Sequence, residues 1–478
     1  MTSKYRKILI ISGGVIASLI AILILSVDLN LFKPRIEAAA SDALGMDFKI
    51  GGPSKIVLFP GFGISLEKVR IRNGGLDLLA AEKIRVSFRI LPLLKREVKI
   101  ADFAIVGPEI TVERYKNGDY NFESPMQRTS KKEKSTSLIF TIKSLEISKG
   151  KLIFSDQITS NKMELNNMDL KIKDLSYNTG RNQSPLQGIS LSGIFHCERL
   201  KTQTLEVRNI RFDIKAKDGV FDISPFTISF FGGTEKGMIK ADLTGDDPLL
   251  KVQFSATNFD FEKLAESFSK KKIMKGKMNF SLDIETGGKD SDEMKRRMRG
   301  EASLRGDNLL LYGIDLDSLL STLQESQKFS LVDAGTFLLA GPFGAALTKG
   351  YDFAGLYKAM GRRQGIIKRL VSDWKIRNGV AEAEDVAFST QRNRVAMKGR
   401  LDFVNNRFED VTVAVLDEKG CATFSQKISG PFQKPRIEKI STLKTIARPA
   451  INLFEKAKKL IGIGKCEVFY NGSVRHPV

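Results

Sequence analysis

Several stretches of the chain alternate apolar and polar residues one by one, and this period of two constrains the fold more than any other feature. In the clearest case every second residue is apolar: Ile84, Val86, Phe88 and Ile90. Successive side chains of a β-strand point to opposite faces, so such a strand has one apolar row and one polar row. The alternation recurs at residues 69–71, 210–214 and 280–284. The sequence therefore predicts a mainly β fold.

Turn signals separate these stretches at short intervals. They are residue pairs that contain glycine, most of them Asn-Gly or Asp-Gly, at positions 73–74, 117–118, 218–219, 232–233, 287–288 and 378–379. Asn, Asp and Gly adopt the positive φ that tight hairpins need. The predicted arrangement is an antiparallel meander.

Helical spacing is confined to a few segments. The first runs from Pro34 to Leu44. Others are predicted at residues 259–268, 315–325 and 352–372, and the last two flank an apolar stretch at 337–346. A few helices would therefore interrupt the strands.

Two polar or basic segments divide and close the chain. Residues 127–137 are charged and poor in apolar side chains, which predicts an exposed linker. Residues 437–462 return to helical spacing, with one apolar side, a cationic remainder and Pro449 in the middle. Such a helix lies on an anionic membrane surface or packs across the end of the sheet, and the residues leave both open. We assign 437–478 to this amphipathic helix and a tail.

The N-terminus carries an uncharged run from Ile8 to Val27 that is rich in Ile and Leu. A helix of about 20 apolar residues crosses the roughly 30 Å hydrocarbon core, so the run predicts a membrane anchor. Lys4, Arg6 and Lys7 precede it, which favours a cytoplasmic tail at 1–7 and an exported remainder. A cleaved signal peptide is the alternative. The run exceeds the usual signal-peptide core, however, and no clean A-x-A site follows it.

The composition is basic, with 76 Lys+Arg against 55 Asp+Glu and a formal net charge of +21. This excess attracts polyanions such as nucleic acid, anionic lipid head groups or lipopolysaccharide. An exported domain meets membranes and seldom meets DNA, so we expect no nucleic-acid partner. A solvated surface of mixed charges is an equally good interpretation of the same residues.

The three cysteines are Cys197, Cys421 and Cys466, and their spacing fits neither a metal site nor a redox motif. An oxidising compartment would allow one disulfide. We favour Cys421 with Cys466, which leaves Cys197 as a small buried thiol.

The sequence does not contain the full residue set of any common catalytic motif. The only histidines, His196 and His476, are not in a metal-ligand spacing. The chain has no nucleophile elbow, P-loop or dinucleotide fingerprint. Pairs of carboxylates stay open, because their proximity in space is not visible in a sequence. We therefore expect no enzyme, no catalytic residue, no metal and no cofactor.

The order of motifs along the N-terminal third carries a family resemblance. After the uncharged run come a helix ending in Leu44-Gly45 and a strand followed by Phe59-Pro60-Gly61. Further motifs follow at residues 90–100, 107–114, 117–122, 311–316 and 429–435. This order resembles the AsmA family of bacterial envelope proteins. Between about 150 and 300 the chain is similar only in its strand pattern.

The resemblance implies a fold and an organisation. It implies a mainly β protein with an N-terminal transmembrane helix at 8–27, then an elongated, curled antiparallel β-sheet that forms a taco-like groove, with a few α-helices. Residues 28–126 would form an AsmA-like N-terminal β region. Residues 138–436 would form the long antiparallel groove with helical insertions.

The resemblance also implies a location and a role. The chain would sit in the bacterial inner membrane as a single-pass protein whose bulk is periplasmic. Its role would be phospholipid transport between the inner and outer membranes, or outer-membrane homeostasis. The expected partners are membrane phospholipids, the inner membrane, and other envelope proteins or the outer membrane.

Strands with a single apolar face must hide that face from water. A curled sheet could do so by lining a groove for acyl chains, and the predicted lining is Val86, Phe88, Ile210, Phe212, Phe280 and Leu282. The first hypothesis is therefore lipid carriage without catalysis. The second is a structural scaffold or assembly factor for outer-membrane proteins, in which the protein's own side chains close the β core.

Overall fold

The computed structural model describes residues 28–58, 61–89, 92, 100–123, 139–178, 185–203, 206–266, 272, 274–322, 331, 364–442 and 466–477. Over these residues the protein is mainly β, a large mixed sheet with few helices. The predicted anchor, the linker and the apolar stretch at 337–346 lie outside them. No helix in the described ranges is both long enough and apolar enough to cross a membrane. The chain divides into two compact units, Met1–Ile228 and Ser229–Val478.

The first unit begins with a 3-10 helix at Leu29–Phe32 and helix α1 (Lys33–Leu44), which confirms the first predicted helix. Gly45 ends α1 in a left-handed conformation with φ of 65°, the C-cap geometry that glycine favours. The strands that follow are β1 (Asp47–Ile50), β2 (Ser54–Val57), β3 (Gly63–Asn73), β4 (Leu76–Phe88), β5 (Ile100–Val106), β6 (Glu109–Arg114), β7 (Ile139–Asp156), β8 (Asn161–Asn178), β9 (Ile189–Thr202), β10 (Glu206–Lys217) and β11 (Val220–Phe230).

The expectation of a purely antiparallel sheet is wrong at one place in this unit. Strands β5 and β6 pair antiparallel with β4 on one side but parallel with β7 on the other. A parallel pair needs a crossover of a dozen or more residues, and residues 115–138 between β6 and β7 supply it.

Helix α1 closes the first edge of the sheet. Glu37 Oε1 accepts the backbone N–H of Ile50 at 2.7 Å, and Ser41 Oγ accepts that of Phe48 at 2.9 Å. Unpaired groups on an edge strand invite pairing with other chains, so these bonds protect β1. On the inner side of the helix, Ile36 and Ala40 pack against a buried cluster: Phe48, Ile50, Leu66, Val69, Ala81 and Ile84.

The second unit is an antiparallel meander. Its strands are β12 (Gly233–Asp242), β13 (Leu249–Asp260), β14 (Met274–Lys275), β15 (Lys277–Gly287), β16 (Arg299–Leu311), β17 (Gly365–Arg377), β18 (Val380–Ser389), β19 (Arg394–Asp402), β20 (Arg407–Leu416), β21 (Ala422–Pro431), β22 (Arg436–Ile437) and β23 (Ser441–Thr442). Its helices are α2 (Phe261–Glu266), α3 (Ser291–Arg297) and α4 (Leu316–Thr322). Helices α2 and α4 lie within predicted helices.

The hairpin between β17 and β18 confirms one predicted turn. Asn378 and Gly379 have φ of 52° and 76°, the two positive values of a tight hairpin turn. The glycine pair at 287–288 does not make a hairpin. It leads into α3, whose cap Asp290 accepts the N–H of Asp292 at 2.9 Å and that of Glu293 at 2.8 Å. Helix α3 was not predicted, because seven mostly charged residues show no apolar period.

Two other helix predictions are wrong where the structure describes the residues. Gly365–Arg377 form β17, paired with β16 and β18, rather than the end of a helix at 352–372. Adjacent apolar pairs imitate helical spacing there, because this strand carries buried residues on both faces. Ile437 and Ser441–Thr442 pair with β21 rather than starting a C-terminal helix. The other residues of that predicted helix from 443 onward lie outside the described part of the chain.

Strands β17 to β20 form the core of the second unit, and each of them carries buried residues on both of its faces. On one face lies Trp374, the only tryptophan of the chain, which is 2% exposed and donates its Nε1–H to Ser372 Oγ at 2.8 Å. The other face consists mostly of small or medium side chains: Val371, Ala387, Ala396, Ala414 and Leu416. This unit therefore has a closed core in the described residues.

Candidate functional site

The structure places the six residues of the predicted apolar row in three different settings. Val86 and Phe88 lie at the end of β4, and Val86 packs against the cluster under α1. Ile210 and Phe212 lie two positions apart on β10. Phe280 and Leu282 of β15 pack against the closed core of the second unit.

The apolar residues of β7 to β10 come into register across the first unit. Ile147 is opposite Leu170, Leu170 is opposite Phe195, and Phe195 is opposite Phe212. The next row of residues that are opposite one another on these strands consists of Leu145, Ile172, Gly193 and Ile214. We call the seven larger side chains the apolar face: Leu145, Ile147, Leu170, Ile172, Phe195, Phe212 and Ile214. Each of them is half-buried and none is fully buried.

Aromatic rings run along this face. The rings of Phe195 and Phe212 stack with centroids 4.8 Å apart, and the ring of Phe226 lies 6.3 Å from that of Phe212. Rings in such contact have few alternative rotamers, so they present a preformed apolar surface. Of these three, the sequence pattern singled out only Phe212. Phe195 follows the apolar Ile194 and Phe226 follows Pro225, so neither lies in a clean alternation.

The row of opposed residues next to the apolar face is buried. It contains Met168, Cys197 and Ile210, which are opposite one another on β8, β9 and β10. Burial raises the pKa of the Cys197 thiol, which keeps it protonated and poorly nucleophilic. Cys197 is therefore a packing residue, and Ile210 supports the apolar face from the side.

The opposite face of the same strands is charged. Lys171 lies 3.0 Å from Glu146, and the hydrogen bond between them raises the pKa of the lysine. His196 Nδ1 lies 3.7 Å from Asp169 on this polar face. The strand period thus separates the two surfaces: one face carries most of the charged side chains, with Ile194 as an apolar exception, and the other face is apolar.

A second feature is the C-terminal tail at residues 466–477. The structure joins Cys421 and Cys466 in a disulfide with their Cα atoms 6.0 Å apart. Asp417 accepts the backbone N–H of Cys421 at 2.8 Å, and its carboxylate lies within 4.8 Å of both sulfur atoms. Thiolates, not disulfide sulfurs, are the ligands of metal ions, so this trio is not a metal site in the oxidised state.

The tail packs on the face of small side chains of β17 to β20. Val474 and Tyr470 are buried there. The buried guanidinium of Arg394 donates to the carbonyl oxygens of Asp417 at 2.8 Å and Val474 at 3.3 Å. The Tyr470 hydroxyl hydrogen-bonds with Asp385. The tail is therefore fixed by one covalent and several polar contacts.

A pocket of about 480 Å³ lies between the tail and β18 to β20. Its walls carry both signs of charge. Arg400 pairs with Glu409 at 3.5 Å and with Asp410 at 3.6 Å, and Lys398 Nζ lies 5.3 Å from the ring centre of Phe469. These contacts describe a balanced, exposed surface rather than a set of groups converging on one ligand.

We expect Tyr470→Phe to lower the free energy of unfolding of the second unit by about 1–3 kcal/mol, since it leaves the half-buried Asp385 without this hydroxyl partner. Burial, followed by the bond to Asp385, raises the pKa of the Tyr470 hydroxyl above its ordinary value. This contribution is therefore complete below about pH 10 and is lost as the pH rises further, because only the unfolded tyrosine then ionises. Denaturant unfolding followed by Trp374 fluorescence measures both effects. A Tyr470→Phe protein with the same alkaline loss of stability as the wild type would contradict this account.

The fold and the one-sided strands define a mainly β protein built on a large mixed sheet, with an apolar face in its first unit. The family model for the AsmA family matches the chain twice, at residues 2–192 and 177–385. These matches cover most of the sequence, so the chain belongs to the AsmA family, and the resemblance seen in its motifs is confirmed. Comparisons with curated proteins and with solved structures give no match.

Proposed function

We propose that this protein is a non-enzymatic, inner-membrane-anchored periplasmic protein that carries phospholipid acyl chains on the apolar face of its first unit. One observation carries the proposal. Seven apolar side chains lie in register across β7 to β10, and each is half-buried rather than fully covered by other side chains. Apolar surface of this kind on a soluble region marks a binding site.

The dimensions and energetics favour an acyl chain as the occupant. Four strands spaced about 4.8 Å apart make a face about 15 Å across, and no charged side chain interrupts it. Each methylene that leaves water contributes about 0.8 kcal/mol, so even part of a fatty chain gains several kcal/mol there. The stacked rings of Phe195 and Phe212 need little rearrangement to receive it.

Three observations support an exported, anchored location. The uncharged run from Ile8 to Val27 is long enough for an anchor, and the chain belongs to the AsmA family. The Cys421–Cys466 disulfide fits an oxidising compartment such as the bacterial periplasm.

The closed core of the second unit favours a second candidate, a structural scaffold or assembly factor for outer-membrane proteins. Phe280 and Leu282, predicted to line the groove, pack against this core. Native mass spectrometry of the detergent-extracted full chain separates the two functions. Stoichiometric bound phospholipid is expected for lipid carriage, and a lipid-free protein for a scaffold.

Photocrosslinking in intact cells tests the apolar face directly. Benzoylphenylalanine at Phe212 is expected to capture phospholipid, because its side chain lies on the half-buried face. The matched control is Ile194, which is 43% exposed and lies on β9 beside Phe195 but on the charged face. Equal lipid capture at positions 212 and 194, or none at either, would refute the proposed function.

A further inference from the structure

Two large apolar side chains stand exposed just before α1. Leu31 is 79% exposed, the largest fraction for any large apolar side chain in the described residues, and its neighbour Phe32 is 42% exposed. A single exposed apolar residue is ordinary on a protein surface. Two consecutive ones on a short folded element form a small apolar tip.

The tip is fixed to the sheet. Asp28 Oδ1 accepts the N–H of Asn30 at 2.9 Å, which starts the 3-10 helix. Asn30 Oδ1 in turn accepts the N–H of Ser54 in β2 at 3.0 Å. Together with the bonds from α1 to β1, this attachment gives Leu31 and Phe32 a set position relative to the first two strands.

The position of this tip in the sequence and the cationic residues beside it indicate which surface the tip contacts. The uncharged run of the sequence ends at Val27, immediately before Asp28. Lys33 and the exposed Arg35 follow Phe32. Apolar side chains beside flanking cations are the arrangement of segments that lie at the boundary between acyl chains and head groups.

We propose that Leu31, Phe32, Lys33 and Arg35, here called the collar, dock onto the phospholipid bilayer surface. Leu31 and Phe32 enter the outer part of the acyl region, and the two cations contact lipid phosphates. The inference rests on the anchored location proposed above. Because Asn30, next to the collar, is bonded to β2 and α1 is bonded to β1, docking holds the first strands of the sheet against the bilayer instead of leaving them on a free tether.

The test uses the full chain reconstituted in vesicles of phosphatidylcholine and phosphatidylglycerol, with Leu31→Cys carrying the fluorophore NBD. The matched control is Val220→Cys, an apolar position of the same unit that is 45% exposed. The wild type reports background labelling, since Cys197 is buried and the other two cysteines are paired. Lipids brominated on the acyl chains are expected to quench the label at 31 about two-fold, because a docked side chain lies roughly 5–10 Å deep, and to leave the label at 220 unchanged.

Flotation with the vesicles in the same preparation separates the two proposals. Protein that fails to float refutes the anchored location. Protein that floats while the label at 31 stays unquenched refutes the collar alone. A label at 31 that is shielded only as the protein concentration rises, without bromine quenching, would assign the tip to a second copy of the chain and would also overturn the collar.

Discussion

The double substitution Phe195→Glu/Phe212→Glu is expected to abolish phospholipid binding while the protein still folds. The two rings stack on the apolar face, and replacing each one removes about 1.5–3 kcal/mol of apolar contact with an acyl chain. Each loss lowers affinity about ten-fold or more, so the pair lowers it at least about a hundred-fold. A carboxylate pressed against a fatty chain adds a further penalty. Phospholipid per protein, measured by native mass spectrometry, is the readout.

The matched control for this pair is Ile194→Glu, which puts a carboxylate on the charged face of the same strand. This variant is expected to keep its lipid. All the variants should retain the wild-type β-sheet circular dichroism, because the half-buried positions leave the new carboxylates access to water. Wild-type lipid content in Phe195→Glu/Phe212→Glu would mean that lipid does not contact this face.

Removing the disulfide with Cys421→Ser/Cys466→Ser is expected to lower the free energy of unfolding of the second unit by about 4 kcal/mol. The two cysteines are 45 residues apart, and this value is the loop-closure entropy that a cross-link of that span removes from the unfolded chain. Denaturant unfolding followed by tryptophan fluorescence is a specific probe, since Trp374 is the only tryptophan and lies in the core of that unit.

Two controls accompany the cysteine variant. Reduced wild-type protein should match it, and Cys197→Ser, which changes no cross-link, should retain the disulfide's contribution. An unfolding midpoint unchanged from that of the oxidised wild type would show that the disulfide does not stabilise the second unit. Polar contacts of Arg394 and Tyr470 with the tail and the strands beneath it would then be sufficient to hold the tail.

The two units make different use of the same strand chemistry. In the first unit, β7 to β10 keep one face half-buried and the other charged. In the second unit, β17 to β20 have a buried cluster on each face, one around Trp374 and the other beneath the C-terminal tail. The lipid contact proposed above therefore falls in the first unit, whereas the second unit holds a packed core.

The sequence predicted the strands well where one face stays polar. The alternation at 210–214 and 280–284 falls within β10 and β15, and the Asn-Gly pair at 378–379 turns a hairpin. It failed where buried residues occur on both faces, as in β17, since a strand without a continuous polar row loses its period of two. It also missed Phe195 and Phe226, because the contact of their rings with Phe212 depends on the register between neighbouring strands, which the residue pattern does not show.

By itself the sequence determined the mainly β class, helix α1 and the family. These follow from local signals: residue period, turn residues, caps and the order of motifs. The sequence favoured Cys421 with Cys466, and the structure joins them. Only the tertiary structure decided the parallel pairing of β7, and which apolar rows stay half-buried and which are filled. Pairing partners and burial are properties of neighbours in space, and the same apolar row suits an open face or a closed core until those neighbours are in place.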